Sequence, residues 1–165
     1  MSRQITILGV DPGLANCGWG VVALVASRLE PVAYGCISTQ AGVAESQRLA
    51  TIYFELLAVI RRYQPLELSI ETVYHKGNSK SAIATAQARG VALIAAAESR
   101  LEVAEYAPAA IKKAVVGSGG ADKAQVQYMV KALLRLDHLP APDHAADALA
   151  AAVCHAHTRL PGRQT

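Results

Sequence analysis

The sequence predicts an α/β protein with a five-stranded mixed sheet and helices on both faces. Segments typical of β-strands fill most of residues 5–37 and recur at 66–71 and 101–106. Helical periodicity occupies the intervals around the later strands, and helical crossovers are the usual connection between parallel strands. With 52% hydrophobic and 18% charged residues, we expect residues 1–165 to form one domain, with a frayed tail from about residue 159.

Five segments have the composition and spacing of strands. The predicted strands cover residues 5–11, 17–25, 29–37, 66–71 and 101–106. The first is largely apolar up to Asp11, as expected for a strand buried on both faces. A short polar link at 26–28 predicts a hairpin, so the first three strands form an antiparallel meander. The fourth strand, LELSIE, alternates apolar and polar residues and ends on Glu71.

Five helices follow from apolar spacing and from proline and glycine positions. They cover residues 45–63, 80–99, 108–116, 121–135 and 143–157. In the first helix, Leu49, Ile52 and Leu56 recur at intervals of three and four residues, which indicates one buried face. Pro108 suits the first turn of the third helix, and the glycines at 117–120 separate it from the fourth.

Asp11 is the most informative residue of the chain. It ends the first strand and is followed by Pro12 and Gly13, which turn the chain sharply. The carboxylate therefore lies at the edge of the sheet, where open α/β sheets bind their ligands. An ionised carboxylate in that position needs a cation or a set of hydrogen-bond donors. The alternative is an aspartate that begins a turn and bonds to its own backbone.

Several polar residues are candidates to join Asp11. Glu71 ends the fourth strand and would lie at the same edge if the first and fourth strands are parallel neighbours. His144 and Asp147 lie one turn apart on the last helix, whose alanines allow its backbone to approach the sheet closely. Asp143 could share that face, although its position at the helix start favours a role as N-cap. Taken singly, each could instead be an ordinary solvated side chain.

A divalent metal site is the chemistry that this set of residues predicts. Converging carboxylates repel one another unless a cation lies between them. Oxygen ligands with a single nitrogen suit Mg²⁺ or Mn²⁺, and two ions about 3.5–4 Å apart can flank a phosphate that is being hydrolysed. The predicted catalytic residues and metal ligands are Asp11, Glu71, His144 and Asp147.

Five segments, in order along nearly the whole chain, resemble one known family. They are GVDPG at 9–13, the strand end at Glu71, QARGVA at 87–92, VVGSG at 115–119 and AADALA at 145–150. Together they resemble RuvC-type Holliday junction resolvases. The resemblance implies an RNase H-like fold and a homodimer that cuts two strands of like polarity in a four-way DNA junction, using divalent metal ions. It also implies RuvA and RuvB, the branch-migration proteins, as partners.

The resemblance also assigns roles at the predicted site. The family's catalytic acids fall on Asp11, Glu71 and Asp147. Its remaining acidic position is occupied by His144 here, and a histidine at that position resembles the variant that some members carry. Because an imidazole is a softer ligand than a carboxylate, we predict a greater preference for Mn²⁺ than a four-carboxylate enzyme would show. His144 could also transfer a proton from the attacking water.

DNA contacts are expected on the basic middle of the chain. The net charge of +3 is small, but residues 72–135 contain nine Lys and Arg residues and only four Asp and Glu residues. The predicted DNA-binding residues are Tyr74, Lys76, Lys80, Arg89, Lys112 and Lys123. The first two lie in a loop, where an aromatic ring can stack on a base beside a phosphate contact. Tyr74, Lys112 and Lys123 match family positions, whereas the alternatives are a tyrosine packed on the sheet edge and solvated helix charges.

The cellular setting and the competing functions follow from what the sequence contains. No signal peptide and no apolar run of about 18 residues are seen, and the three distant cysteines are expected to be buried free thiols, so a cytoplasmic protein is predicted.

By the resemblance, the alanine-rich helix 80–99 contributes to a dimer contact. The competing functions are junction binding without cleavage and an actin-like ATPase-related domain, for which the chain is short.

Overall fold

The computed structural model describes residues 4–73 and 79–159. The elements are β1 (Gln4–Asp11), β2 (Asn16–Val25), β3 (Arg28–Ser38), α1 (Glu45–Tyr63), β4 (Glu67–Glu71), α2 (Lys80–Glu98), β5 (Glu102–Tyr106), α3 (Pro108–Val116), α4 (Lys123–Leu134) and α5 (Asp143–Thr158). All ten predicted elements are confirmed, with small shifts at their ends. Most of the predicted frayed tail lies outside the described residues, but Arg159 is held by the Glu67 carboxylate.

The strands form a single mixed sheet in the order β3-β2-β1-β4-β5. β1 pairs with β2 and β2 with β3 in antiparallel fashion, which confirms the predicted meander. β4 is parallel to both β1 and β5. Since Val10 pairs with Ile70, the next residue of each strand, Asp11 and Glu71, leaves the sheet at the same edge.

Helices cover both faces of the sheet, and strand alternation decides which residues meet which helices. On one face, Leu8 and Val10 of β1 pack with α1 and α2. On the other face, Ile7 packs beneath α5, and α3 and α4 lie against α5. Asp11 falls on the α5 face because it is two residues beyond Gly9 and four beyond Ile7.

The α5 face of β4 carries a row of polar residues, whereas Leu68 and Ile70 on its other face are fully buried. The Ser69 hydroxyl donates a 2.7 Å hydrogen bond to the backbone carbonyl of Ala151 in α5. The Glu67 carboxylate lies 2.6 Å from His155 Nε2 and also pairs with Arg159. These contacts satisfy buried polar groups and fix the position of α5 along β4.

The backbone of α5 touches the sheet directly at two glycines. A Cβ atom on Gly9 would collide with the Ala148 carbonyl oxygen, and one on Gly18 would collide with the His144 carbonyl oxygen. Glycine in a strand interior commonly marks such a close approach of a second backbone. The alanines of α5 complete the fit, because they are buried without holding the helix away from the sheet.

The three cysteines are free, as expected, but only Cys17 and Cys154 are buried. Burial raises the pKa of each of these two thiols to about 12. The expectation of burial is wrong for Cys36, which is partly exposed because it lies on the edge strand β3. Among the described residues, no helix is long and apolar enough to cross a membrane.

The close approach of α5 predicts opposite outcomes for two Gly→Ala substitutions. Gly9→Ala should lower the free energy of unfolding by about 3 kcal/mol or more, because the new Cβ meets backbone that cannot move aside. Gly90→Ala in α2, where a Cβ meets nothing within 4 Å, should raise it by about 0.5–1 kcal/mol. Thermal unfolding of both variants checks this, and equal melting temperatures would contradict the packing described.

Candidate active site

Two carboxylates meet at the carboxyl ends of β1 and β4. Asp11 and Glu71 are the last residues of neighbouring parallel strands, and both face α5. Pro12 then directs the chain away from the sheet, so the Asp11 carboxylate is not covered by the residues that follow it. The predicted parallel pairing of these strands is therefore confirmed, and it brings Asp11 and Glu71 together.

Helix α5 adds an imidazole and a third carboxylate. His144 Nδ1 lies 2.8 Å from Asp11 Oδ2. One ligand atom from each of Asp11, His144 and Asp147 can be chosen so that all three lie within 4.8 Å of one another. Glu71 stands beside this cluster and lines a cavity of about 400 Å³ together with Asp11 and Asp147. All four predicted site residues therefore share one edge of the sheet.

The electrostatics of the site favour a cation. Burial raises the pKa of Asp11, the hydrogen bond from His144 acts in the opposite direction, and the charge of Asp147 raises it again. Burial also raises the pKa of Glu71, and the charges of Asp11 and Asp147 add to this effect. Both raised pKa values mean that ionisation of these carboxyl groups is less favourable in the site than in water. A bound cation would stabilise the ionised form and offset this effect.

Comparison with known proteins identifies the family. The family model described as crossover junction endodeoxyribonuclease RuvC matches residues 7–155. The chain belongs to the RuvC family. A RuvC from Moorella thermoacetica is 51% identical over 158 residues, covering 96% of this chain and 94% of the relative. A RuvC from Pelotomaculum thermopropionicum is 48% identical over 151 residues, covering 92% of each protein. The chain is accordingly a RuvC-family endodeoxyribonuclease, and the ATPase-related alternative is not favoured.

Solved structures confirm the RNase H-like fold. Thermus thermophilus RuvC superposes with a TM-score of 0.83 at 32% identity, over 92% of this chain and 93% of that one. The same protein in complex with a Holliday junction substrate gives a TM-score of 0.86 at 33% identity, over the same shares of each chain. Yeast mitochondrial Ydc2, at 10% identity and a TM-score of 0.58, shows the shared fold alone.

Lys123 of α4 forms ion pairs beside the cluster of Asp11, His144 and Asp147. Its Nζ lies 3.3 Å from a carboxylate oxygen of Asp147 and 3.3 Å from one of Asp143. Burial acts to lower the pKa of Lys123, but the charges and hydrogen bonds of these two carboxylates raise it above its usual value. Lys123 therefore stays protonated and partly neutralises the cluster.

The prediction that Asp143 caps α5 is wrong. Pro142 occupies the N-cap position. Asp143 is the first residue of the helix, and no side chain makes a capping hydrogen bond there. The Asp143 carboxylate instead accepts a 3.1 Å hydrogen bond from Gln127 Nε2. This bond, together with Lys123, lowers the pKa of Asp143. Its contacts therefore tie α5 to α4 and lie outside the cluster formed by Asp11, His144 and Asp147.

The other predicted DNA-binding residues occupy different settings. Lys112 of α3 lines the same cavity as Asp11 and Glu71. Arg89 of α2 pairs with Glu105 and donates to the backbone carbonyl of Glu71 at 3.4 Å, so it supports the end of β4. Lys80 is exposed at the first residue of α2. Tyr74 and Lys76 lie outside the described residues, and their predicted role stays a prediction.

Residues that position the cluster were missed by the sequence analysis. Ser69 and Gly18 are not among the predicted site residues, yet both fix where α5 lies against the sheet. Each left a signal that could have been used. Serine at a buried position of a strand needs a hydrogen-bond partner, and glycine inside a strand commonly marks a close backbone approach.

The raised pKa of Glu71 predicts that the site is unfavourable for stability in the absence of metal. Glu71→Gln should raise the melting temperature at neutral pH, by about 2–4 °C for each kcal/mol of unfavourable charge removed. The gain should shrink as the pH falls through the raised pKa of Glu71 towards its ordinary value of 4.5, because the native carboxyl group then becomes neutral too.

Thermal melts in a chelating buffer across this pH range measure the effect. Glu55→Gln, at an exposed position of α1, is the matched control and should change little. A lower melting temperature for Glu71→Gln than for the parent protein would contradict the electrostatic account.

Proposed function

We propose that this chain resolves Holliday junctions by metal-dependent hydrolysis of phosphodiester bonds in two strands of like polarity, in recombination and DNA repair. The observation that carries this proposal is the convergence of Asp11, Glu71, His144 and Asp147 at one sheet edge, in a chain of the RuvC family. We assign these four residues as catalytic residues and metal ligands. A junction-binding protein without cleavage would have no use for so unfavourable a group of carboxylates.

The donor set fits Mg²⁺ or Mn²⁺. It offers three carboxylates and one imidazole, and the pKa values of Asp11 and Glu71 are raised in the way that a bound cation would offset. We propose two ions per subunit, since Glu71 stands beside the three-residue cluster and can complete a second ligand group with Asp11. When bound, such ions supply an activated water and stabilise the charge that develops on the phosphate.

The tautomer of His144 is defined if its Nδ1–H group donates the hydrogen bond to Asp11. The 2.8 Å contact fits an Nδ1–H donor and a carboxylate acceptor. A neutral imidazole in this tautomer leaves a lone pair on Nε2, which can bind a cation or take a proton from water. Asp11 therefore orients the His144 ring as well as offering its own oxygens to the metal.

The basic residues around the cavity suit a phosphate backbone. Lys112 and Lys123 both line the cavity that contains Asp11 and Glu71. We assign both to DNA phosphates, which bind without selecting a base sequence. We assign Tyr74 to stacking on a base and Lys76 to a neighbouring phosphate. Lys80 and Arg89 are weaker candidates for the phosphate backbone, and Arg89 already pairs with Glu105.

Cutting two strands calls for two active sites. We propose a homodimer in which each subunit cuts one strand, because two-fold symmetry matches two strands of like polarity. Its contact would include α2, whose alanine-rich surface also exposes Ile83 and Ile94. RuvA and RuvB are proposed as working partners from the family resemblance, and the cytoplasm is proposed as the compartment because the substrate is DNA.

Cleavage of a synthetic four-way junction tests the proposed function directly. The parent protein should make paired symmetric nicks in Mg²⁺ or Mn²⁺, leave linear duplex DNA intact and lose activity in a chelator. Asp11→Asn should reduce the rate by at least about 10²-fold, because it removes a ligand charge at the reacting phosphate. Glu30→Gln, at an exposed position of β3, is the control. Tight junction binding with no nicks in either metal would instead support the non-cleaving alternative.

The ratio of cleavage rates in Mn²⁺ and Mg²⁺ tests the role of His144. His144→Asp restores a fourth carboxylate and should lower that ratio by about tenfold, because a harder ligand set favours Mg²⁺. The two metals are compared at saturating concentration on the same junction. An unchanged ratio would show that His144 does not bind the metal.

A further inference from the structure

A second groove adjoins the acidic cluster on the side away from Lys112. The cavity with Lys112 is bounded by residues of α3 and α4, which lie on the α5 face of the sheet. The second groove, of about 520 Å³, is bounded by residues of α1, α2 and the segment that follows β1. Asp11 and Asp147 line both spaces. The acidic cluster therefore lies where the two grooves meet at the edge of the sheet.

Arg48 of α1 is the basic residue of the second groove. Its Nε donates a 2.8 Å hydrogen bond to the Thr39 hydroxyl, which in turn donates to the backbone carbonyl of Leu14. The Thr39 backbone NH also donates to the Ala15 carbonyl at 2.9 Å. Arg48 is thus tied to the segment that immediately follows Asp11, and its orientation is coupled to the position of the active site.

Within the described residues, no carboxylate neutralises the charge of Arg48. None of the ion pairs found in residues 4–73 and 79–159 includes Arg48. Glu45, one turn earlier in α1, instead accepts a 2.7 Å hydrogen bond from Gln87. Nε is held by Thr39, and the terminal nitrogens of the guanidinium make no hydrogen bond found in the described part of the chain. They can therefore bind an anion, and their fixed fork suits a phosphate.

We propose that Arg48 binds a phosphate of the cleaved strand next to the one that is hydrolysed, on the side of the acidic cluster opposite Lys112. This inference rests on the proposed function, because it takes the acidic cluster as the place of hydrolysis. A DNA strand that crosses the cluster must continue into both grooves. In each groove, a basic residue then lies beside one of the phosphates that flank the hydrolysed one. Arg48 positions the strand and takes no part in the chemical step.

The test combines Arg48 variants with single neutral phosphates. Junctions carry a methylphosphonate at one of the positions within two nucleotides of the cleaved bond, and binding is measured by fluorescence anisotropy in an Asp11→Asn background. One such position should weaken binding by about tenfold, the size expected for one charged hydrogen bond. Adding Arg48→Gln should weaken binding of the unmodified junction to a similar extent and abolish the further effect of that methylphosphonate.

Matched variants separate this contact from a general loss of charge. Arg61→Gln, an exposed arginine in the last turn of α1, should keep the full methylphosphonate effect. Arg48→Lys keeps the charge but lacks the guanidinium fork, so it should lose part of the affinity, and it replaces Arg48→Gln if that variant fails to fold. In otherwise unchanged protein, Arg48→Gln should raise KM with kcat little altered, and should reduce the slope of log affinity against log salt by about 1.

The possible results distinguish the two proposals. If the parent protein neither binds nor cuts the junction, the proposed function is refuted. If the parent protein cuts the junction but no methylphosphonate position is coupled to Arg48, only the present inference is refuted. A fall in kcat with unchanged KM would also overturn it, because a residue that holds a flanking phosphate contributes to binding the substrate and the transition state alike.

Discussion

The direct contact between the backbone of α5 and the first two strands is the constraint on which this structure depends. Because Gly9 and Gly18 carry no Cβ, the carbonyls of Ala148 and His144 can lie against the sheet. This places the His144 imidazole within 2.8 Å of Asp11. Hydrogen bonds and metal coordination both tolerate displacements of only a few tenths of an ångström. A side chain at either glycine would therefore move His144 and Asp147 away from the strand ends together.

Two carboxylates on the α5 face of β4 differ in the partners that surround them. Glu67, at the start of the strand, accepts a hydrogen bond from His155 and pairs with Arg159, so it needs nothing from outside. Glu71, at the end of the same strand, receives no side-chain hydrogen bond within residues 4–73 and 79–159, and its pKa is raised. Ser69 lies between them and anchors α5. One end of the row is thus structural, and the other end carries the carboxylate that we propose as a metal ligand.

The sequence predicted the elements and the meeting of four site residues because those features depend on local patterns. Strand alternation places Asp11 and Glu71 at strand ends, and helical spacing places His144 and Asp147 one turn apart. The misassigned role of Asp143 has a different origin. Its partner Gln127 is contributed by α4, whose position against α5 is set by packing between distant parts of the chain. Arg48 is similar, since only the folded loop joins it through Thr39 to the segment after Asp11.

A cluster of carboxylates that must bind a polyanion faces repulsion beyond that among its own members. In the proposed reaction, bound metal ions would offset this repulsion at the phosphate that is hydrolysed, but the phosphates on either side lie outside their immediate reach. The residues proposed to bind these phosphates carry charges that no described carboxylate neutralises, because Arg48 and Lys112 belong to no ion pair within the described residues. Arg89 and Arg159, by contrast, are held by glutamates that stabilise the sheet. The net charge of +3 is therefore a poor guide to DNA binding, because the placement of the cations around the acidic cluster matters more than their total number.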